Sequence, residues 1–310
     1  MPLKERLAPV TDGTSAAARQ RLIAAQVAVV KVKEKHYLGA LWLDSGVIAL
    51  PVLFKGDEQK EQAEVLDGVG TELGRAIIKG ADQDAHVTVL QLTRVPNRRI
   101  ELPQSTTPPK LGDRLFHPGK SETGFLTVHS SVLRKISPNF IPASGCNPAD
   151  GATFLETEEE QPSQMTGPIF DRYGALVGLN QAFWKKPPPY RTFAIDSKYL
   201  LDVAQQIIQN GHVPRGWIGV SVGEITASLR REFQFPKGGV IVHDVVRGGP
   251  ADKVGIMATD VILQMDDKVV SDPALFVARI GCLPPKHLLN VVVYRQGKKL
   301  SMAIPMQQRP

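Results

Sequence analysis

Apolar residues in this chain come in short runs, mostly of Val, Ile and Leu, closed by Gly, Pro, Asn and Asp. That rhythm predicts strands joined by turns, with few helices. Residues 27–32 (Val-Ala-Val-Val-Lys-Val) predict a β-branched strand. Residues 37–43 and 47–50 predict a hairpin about the turn Asp44-Ser45-Gly46, and 87–92 a further strand with apolar residues on both faces. A second group of runs lies at 125–128, 131–133 and 190–195. Within it, 167–180 predicts another hairpin, punctuated by Gly167-Pro168 and Tyr173-Gly174. The polar, proline-broken stretch 103–109 separates the two groups. The spacing is compatible with two consecutive β-barrels, although spacing alone does not establish closure.

Helical signals are local. An Ala-rich stretch, 16–25, follows the capping residues Thr14-Ser15, and 198–209 is opened by Asp196-Ser197 and stopped by Asn210-Gly211. Residues 1–14 read as a disordered lead-in. After Val213-Pro214-Arg215 the pattern resets into strands at 217–222, 239–245, 261–265 and 289–294. A short helix is expected at 251–254 and another at 273–280, the latter with Ser271-Asp272 as cap and Pro273 at its first position.

Composition narrows the function classes. A chain of 310 residues has room for two or three cored domains. The net charge of +6 is dispersed and interrupted by acidic residues, and the few aromatics do not interleave with basic clusters, so no nucleic-acid partner is expected. Cys146 and Cys282 have neither a CxxC partner nor a His at ligand spacing, and read as free thiols; no metal and no cofactor is expected. No run approaches the length of a transmembrane segment. Residues 1–10 lack the charged-then-apolar order of a secretory signal, so the chain is cytoplasmic if complete as given, or a form from which a signal was left out.

Two stretches resemble a known family. Gln164-Met165-Thr166-Gly167-Pro168-Ile169-Phe170, with the hairpin ending Val177-Gly178-Leu179-Asn180, resembles the nucleophile segment of trypsin-like serine proteases, with Met165 where serine stands. Residues 239–256 with Asp260-Val261-Ile262-Leu263, and Arg215-Gly216-Trp217-Ile218-Gly219-Val220, resemble the PDZ domain of HtrA/Deg-type proteases. Phe193-Ala194-Ile195, the helix after it and Val213-Pro214-Arg215-Gly216 resemble that family's junction between protease and PDZ. The resemblance implies a mainly β protein: two trypsin-like six-stranded β-barrels followed by a PDZ domain. Its parts would be a protease-like domain over 15–196 (barrels at about 15–102 and 110–196), a linker helix over 197–214 and the PDZ domain over 215–308.

The same resemblance assigns the triad positions, and the residues there are wrong for the chemistry. Leu53 stands at the position of the base, His86 at that of the orienting aspartate and Met165 at that of the nucleophile, while Ser163 replaces the oxyanion-pocket glycine. Acyl transfer needs a hydroxyl, an imidazole to take its proton and a carboxylate to hold the imidazole. A thioether has no proton to give, Leu53 cannot be a base, and residues 47–59 contain no histidine. The expectation is therefore a catalytically inactive protein, with Met165 plugging the former cleft. The alternative is an active serine endopeptidase of protein quality control using Ser163 or Thr166 as a displaced nucleophile. These two read more simply as turn residues. Asp84 and His86 read as surface residues rather than relics of a relay, and Glu158-Glu159-Glu160 as a solvated acidic loop rather than a pocket for basic substrates.

The PDZ resemblance implies a function that survives these losses. Backbone amides of Ile218, Gly219 and Val220 would receive a peptide's terminal carboxylate while the peptide adds a strand to the sheet edge. Trp217 stands in that loop, Ile218, Val220, Phe276 and Ile280 would line the pocket for the last side chain, and Arg215 would be a charge partner. The alternative is that these are core residues. Implied partners are peptides or unfolded proteins with apolar C-termini, an active HtrA/Deg relative for which this chain would be a regulatory or chaperone-like subunit, and a homo-oligomer. The family's trimers use N-terminal aromatics, and residues 1–36 contain none. If the family holds and a signal was left out, the implied location is the periplasm or cell envelope.

Overall fold

The computed structural model describes residues 16–42, 44–55, 57–58, 61–83, 85–96, 108–120, 126–137, 154–159, 166–184 and 190–309. The described residues divide into two units, the first ending at Val213 and the second beginning at Pro214. Helix α1 (Ala16–Ala24) precedes strands β1 (Val27–Val32), β2 (Lys35–Trp42), β3 (Val47–Leu50), β4 (Ala63–Asp67), β5 (Glu72–Asp82) and β6 (Val87–Leu92). These six strands close into a barrel in the order β1-β2-β3-β6-β5-β4. Strands β7 (Arg114–Lys120), β8 (Leu126–Ser137), β9 (Phe154–Glu159), β10 (Gly167–Phe170), β11 (Leu176–Trp184) and β12 (Tyr190–Asp196) close a second barrel in the order β10-β11-β12-β9-β8-β7. The fold is thus mainly β, with the two six-stranded barrels that the resemblance implied.

The period of two along each strand decides what is buried where. On β1, Ala28, Val30 and Val32 point into the first barrel, while Val27 and Val29 pack outward with Leu38 and with Phe170 of the second barrel. Strands β3 and β6 follow the same rule: Ile48, Leu50, Leu90 and Leu92 fill the barrel, and Ala49, Val87 and Val89 join Phe154, Leu179 and Ile195 in a seam between barrels. This is why residues 87–92 are apolar on both faces. Helix α2 (Ser197–Asn210) closes the seam with Leu200, Val203, Ala204 and Ile207, all buried. It starts where the Asp196 carboxylate accepts from the N–H groups of Lys198 and Tyr199, and stops at Gly211 in the left-handed region (φ 79°). The segment read as a linker helix is therefore also a structural element of the barrel unit.

The second barrel has a layered interior. Leu115, Leu133, Leu155, Ile169, Val177 and Ala194 form an apolar layer. Two residues along the same strands sit His117, Ser131, Thr157 and Thr192, all buried, with His117 Nε2 bonded to Ser131 Oγ and the Thr157 and Thr192 hydroxyls bonded to each other. Buried hydroxyls and imidazoles persist when they satisfy one another.

The second unit contains β13 (Gly216–Trp217), β14 (Val220–Gly223), α3 (Ala227–Glu232), β15 (Val240–Val245), α4 (Pro250–Lys253), β16 (Val261–Met265), β17 (Lys268–Val269), α5 (Pro273–Cys282), β18 (Leu288–Arg295), β19 (Lys298–Pro305) and β20 (Gln307–Gln308). The main sheet runs β14-β15-β16-β18-β19, with β17 on β16; β13 pairs separately with β20. Phe276 and Ile280 of α5 pack on Val240, Val242, Ile262, Leu289, Val291 and Val293. Below the sheet, Arg295 holds the buried Asp260 carboxylate through two bonds, 2.6 and 2.7 Å, and donates to the Gly255 carbonyl.

Several strands escape the sequence reading: β4, β5, β7, β9 and β19 are not predicted. The acidic stretch read as a solvated loop is in part strand β9, where Glu158 pairs with Arg134 and Glu156 with Arg191, each at 3.1 Å. Glu160, the capping pair Thr14-Ser15, the connector 103–107 and Cys146 lie outside the described residues. Among the described residues no helix is long and apolar enough to cross a membrane.

Candidate functional site

Two regions are candidates, one in each unit. In the barrel unit, β3 and β6 are antiparallel neighbours with Leu50 opposite Thr88, so the chain leaving β3 and the chain entering β6 meet at one end of the first barrel. The Thr88 hydroxyl donates to the Val52 carbonyl at 2.6 Å and fixes this end. Half-buried Leu53 follows, and exposed His86, at φ 52°, stands just before β6. The register thus brings the two predicted positions, 53 and 86, to the same end of the same pair of strands. Gln181 of β11 donates its amide to the Ala85 carbonyl, tying the second barrel to this end.

The third position precedes β10. Met165 and Ser163 lie outside the described residues, as does Asp84; Thr166, half-buried, is the first described residue of the segment. The strand that follows is held against the first barrel by Phe170, which packs with Leu38. Opposite Gly167 on β11 is Asn180, 1% exposed, whose side-chain amide has no hydrogen-bond partner among the described residues. The side chains described at this end include the hydroxyls of Thr88 and Thr166, the exposed imidazole of His86 and the buried carboxylate of Asp82, which lies across from Val87 on β5.

A serine and a histidine do meet elsewhere. His117 and Ser131, which the sequence reading did not weigh, are bonded inside the second barrel, each 2% exposed. Burial, reinforced by the neighbouring His129, pushes the His117 imidazole down to about 3. A base that weak takes no proton from a hydroxyl at neutral pH, and the pair is enclosed by strands on all sides, so it is structural. His117 lies opposite His129 and Ser131 opposite Leu115, so the pair meets diagonally across β7 and β8, and β7 is not predicted from the sequence.

The second region is the loop between β13 and β14. Gly219 adopts φ 78°, which a residue with a side chain rarely does, and its α-carbon faces the Trp217 ring. The carbonyls of Ile218 and Gly219 are engaged, accepting from Ala251 and Val246 at 2.9 and 2.8 Å. Neither of their N–H groups donates a backbone bond among the described turn and loop contacts. Among the described residues the adjoining strand, β14, pairs on one side only, with β15. The loop therefore presents amide donors at the head of an unpaired strand edge, an arrangement that accepts an anion followed by an extended chain.

The predicted pocket residues are brought together, but mostly as core. Ile218, Phe276 and Ile280 belong to one cluster and are 1%, 1% and 7% exposed, with Val220 half-buried beside them. Trp217 is half-buried. Arg215 is buried, with its guanidinium toward the Gly281 carbonyl at the end of α5 and its own carbonyl accepting from Arg309. Among the described residues no cluster of His, Cys, Asp or Glu could hold a metal ion.

Comparison with known proteins agrees with this architecture. The PDZ domain family model matches residues 216–306. A probable periplasmic serine endoprotease, DegP-like, from Pseudomonas fulva (strain 12-X) is 31% identical over 161 residues, which are 51% of this chain and 34% of that protein. Its counterpart from Chlamydia pneumoniae is 31% identical over 182 residues, 56% of this chain and 37% of that protein. The match thus spans about a third of the length of these relatives. Among solved structures, the HtrA-type protease AlgW with tripeptide superposes with a TM-score of 0.75 at 25% identity, covering 96% of this chain and 98% of that one. The serine endoprotease from Yersinia pestis has the same fold, with a TM-score of 0.75 at 21% identity over 97% of this chain and 100% of that one. The fold is thus two trypsin-like six-stranded barrels followed by a PDZ domain, and in both fold and sequence the chain is similar to HtrA/DegP-type proteases.

Proposed function

We propose that the protein is a catalytically inactive member of this group that recognises the C-termini of peptides or unfolded proteins through its PDZ domain, serving as a scaffold or regulator. The observation that carries the reading is the loop at Gly219, where amide donors head the unpaired edge of β14. A terminal carboxylate would be received by the amides of Ile218, Gly219 and Val220, and the peptide would lie along β14. Val220 and the small exposed parts of Ile218, Phe276 and Ile280 would meet its last apolar side chain. Arg215, buried, would support the loop from behind rather than meet the ligand.

Support for inactivity comes from the barrel unit: Leu53 and His86, which the resemblance sets at the positions of base and orienting carboxylate, lie at one end of the paired strands β3 and β6. The relatives are named as periplasmic proteins, and the same location is proposed here.

One titration tests the binding role. Peptides with an apolar last residue and a free carboxylate are expected to bind the full chain and to lose binding when the terminus is amidated. Equal affinity for acid and amide would remove the loop's role. Cleavage of unfolded casein is expected to be absent, and turnover that disappears in Ser163→Ala or Thr166→Ala would establish the displaced-nucleophile alternative.

A further inference from the structure

The outward face of β14 carries a feature that the terminal carboxylate does not use. Val220 and Val222 point into the domain core, so Ser221 and Gly223 face out. Strand β15 bulges opposite them: Ser221 pairs with Asp244 and Val222 with Val242, leaving His243 as the extra residue. The His243 ring lies on the α-carbon of Gly223, in the space that any side chain at 223 would need. His243, Asp244 and Glu224, the residue after β14, are all exposed or half-buried at the surface. Neither carboxylate makes an ion pair among the described residues.

From this geometry we infer that the PDZ domain selects peptides carrying arginine at the third position before the C-terminal residue. The inference rests on the peptide-binding reading above. A carboxylate held at Gly219, the head of β14, forces the peptide to run antiparallel to that strand. With its last residue opposite Val220, the third residue upstream falls opposite Gly223 and projects outward, as β14's own residue 223 does. That side chain meets the flat face of His243, with Glu224 and Asp244 around it. A planar guanidinium stacks on a ring and pairs with carboxylates at once, which an ammonium or an aliphatic side chain does not. Glutamate at the same position would face two like charges. Gly223 is what leaves the ring accessible from the strand edge.

The experiment uses the full chain and dye-labelled octapeptides with one apolar C-terminal residue, differing only in Arg, Ala or Glu three positions before it. Fluorescence anisotropy at low salt should rank them Arg, Ala, Glu, with about a fivefold or greater gap between the extremes that narrows in high salt. The double variant Glu224→Lys with Asp244→Lys, its folding checked by its melting curve, should reverse the order. His243→Ala should reduce the Arg preference while leaving the Ala peptide unchanged. Equal binding of all three acids, with the amidated peptide still rejected, overturns this inference and leaves the peptide-binding reading standing. Equal binding of acid and amide, or no binding of any peptide, overturns both.

Discussion

His117 illustrates what a single buried residue does to the behaviour of a barrel. Its imidazole ionises near 6.5 in an unfolded chain and near 3 in the fold. Between those values the unfolded state binds the extra proton, so acid favours unfolding. The stability that the neutral ring contributes is complete above about 6.5 and is lost as pH falls toward 3, at about 1.4 kcal/mol per pH unit. Urea titrations at a series of pH values should show the barrel unit weakening over this window, and His117→Gln, which keeps a side-chain amide toward Ser131 but cannot titrate, should flatten that dependence. The residue was not legible in the sequence, because the strand that carries it, β7, is not predicted. Its neighbours Pro118 and Gly119 mask the strand by removing a donor and a side chain.

At the scale of elements, the clearest strand signals come from strands buried on both faces. Strands β1, β3 and β6 are rich in apolar, largely β-branched residues because one face fills a barrel and the other meets a second barrel or α2. Several of the strands that escaped have one wet face. Strand β9, Phe-Leu-Glu-Thr-Glu-Glu, buries Leu155 and Thr157 and turns Glu156 and Glu158 outward to arginines, so half of it looks like a loop. Strand β19 alternates in the same way at a sheet edge, and β5 is broken by glycines at 74 and 80. Gly80 is there for α2: a side-chain carbon at 80 would run into the Gly211 carbonyl at the helix's end. Gly80→Ala should therefore lift α2 from β5 and cost about 1–3 kcal/mol in thermal or urea unfolding.

For the whole molecule, the architecture was legible in the sequence because turn glycines, helix caps and short apolar runs are all local in the chain. The sequence did not disclose which pocket residues would be core. Ile218, Phe276 and Ile280 are the same apolar types whether they line a groove or fill a domain, and only burial separates the two. The proposed loss of the triad yields a prediction at this scale. Met165→Ser alone should give no labelling by a fluorophosphonate probe, since Leu53 supplies no base to activate the hydroxyl. Labelling of that variant on its introduced hydroxyl would mean that another group serves as base.

Helix α2 also determines where this protein can be divided. Four of its side chains close the seam between the barrels, so trimming the chain at the end of β12 would strip a hydrophobic cover from the half meant to be kept. A cut after Val213 leaves that cover in place and keeps Arg215 with the second unit and its own core, so each half should be recoverable and open to assay without the other.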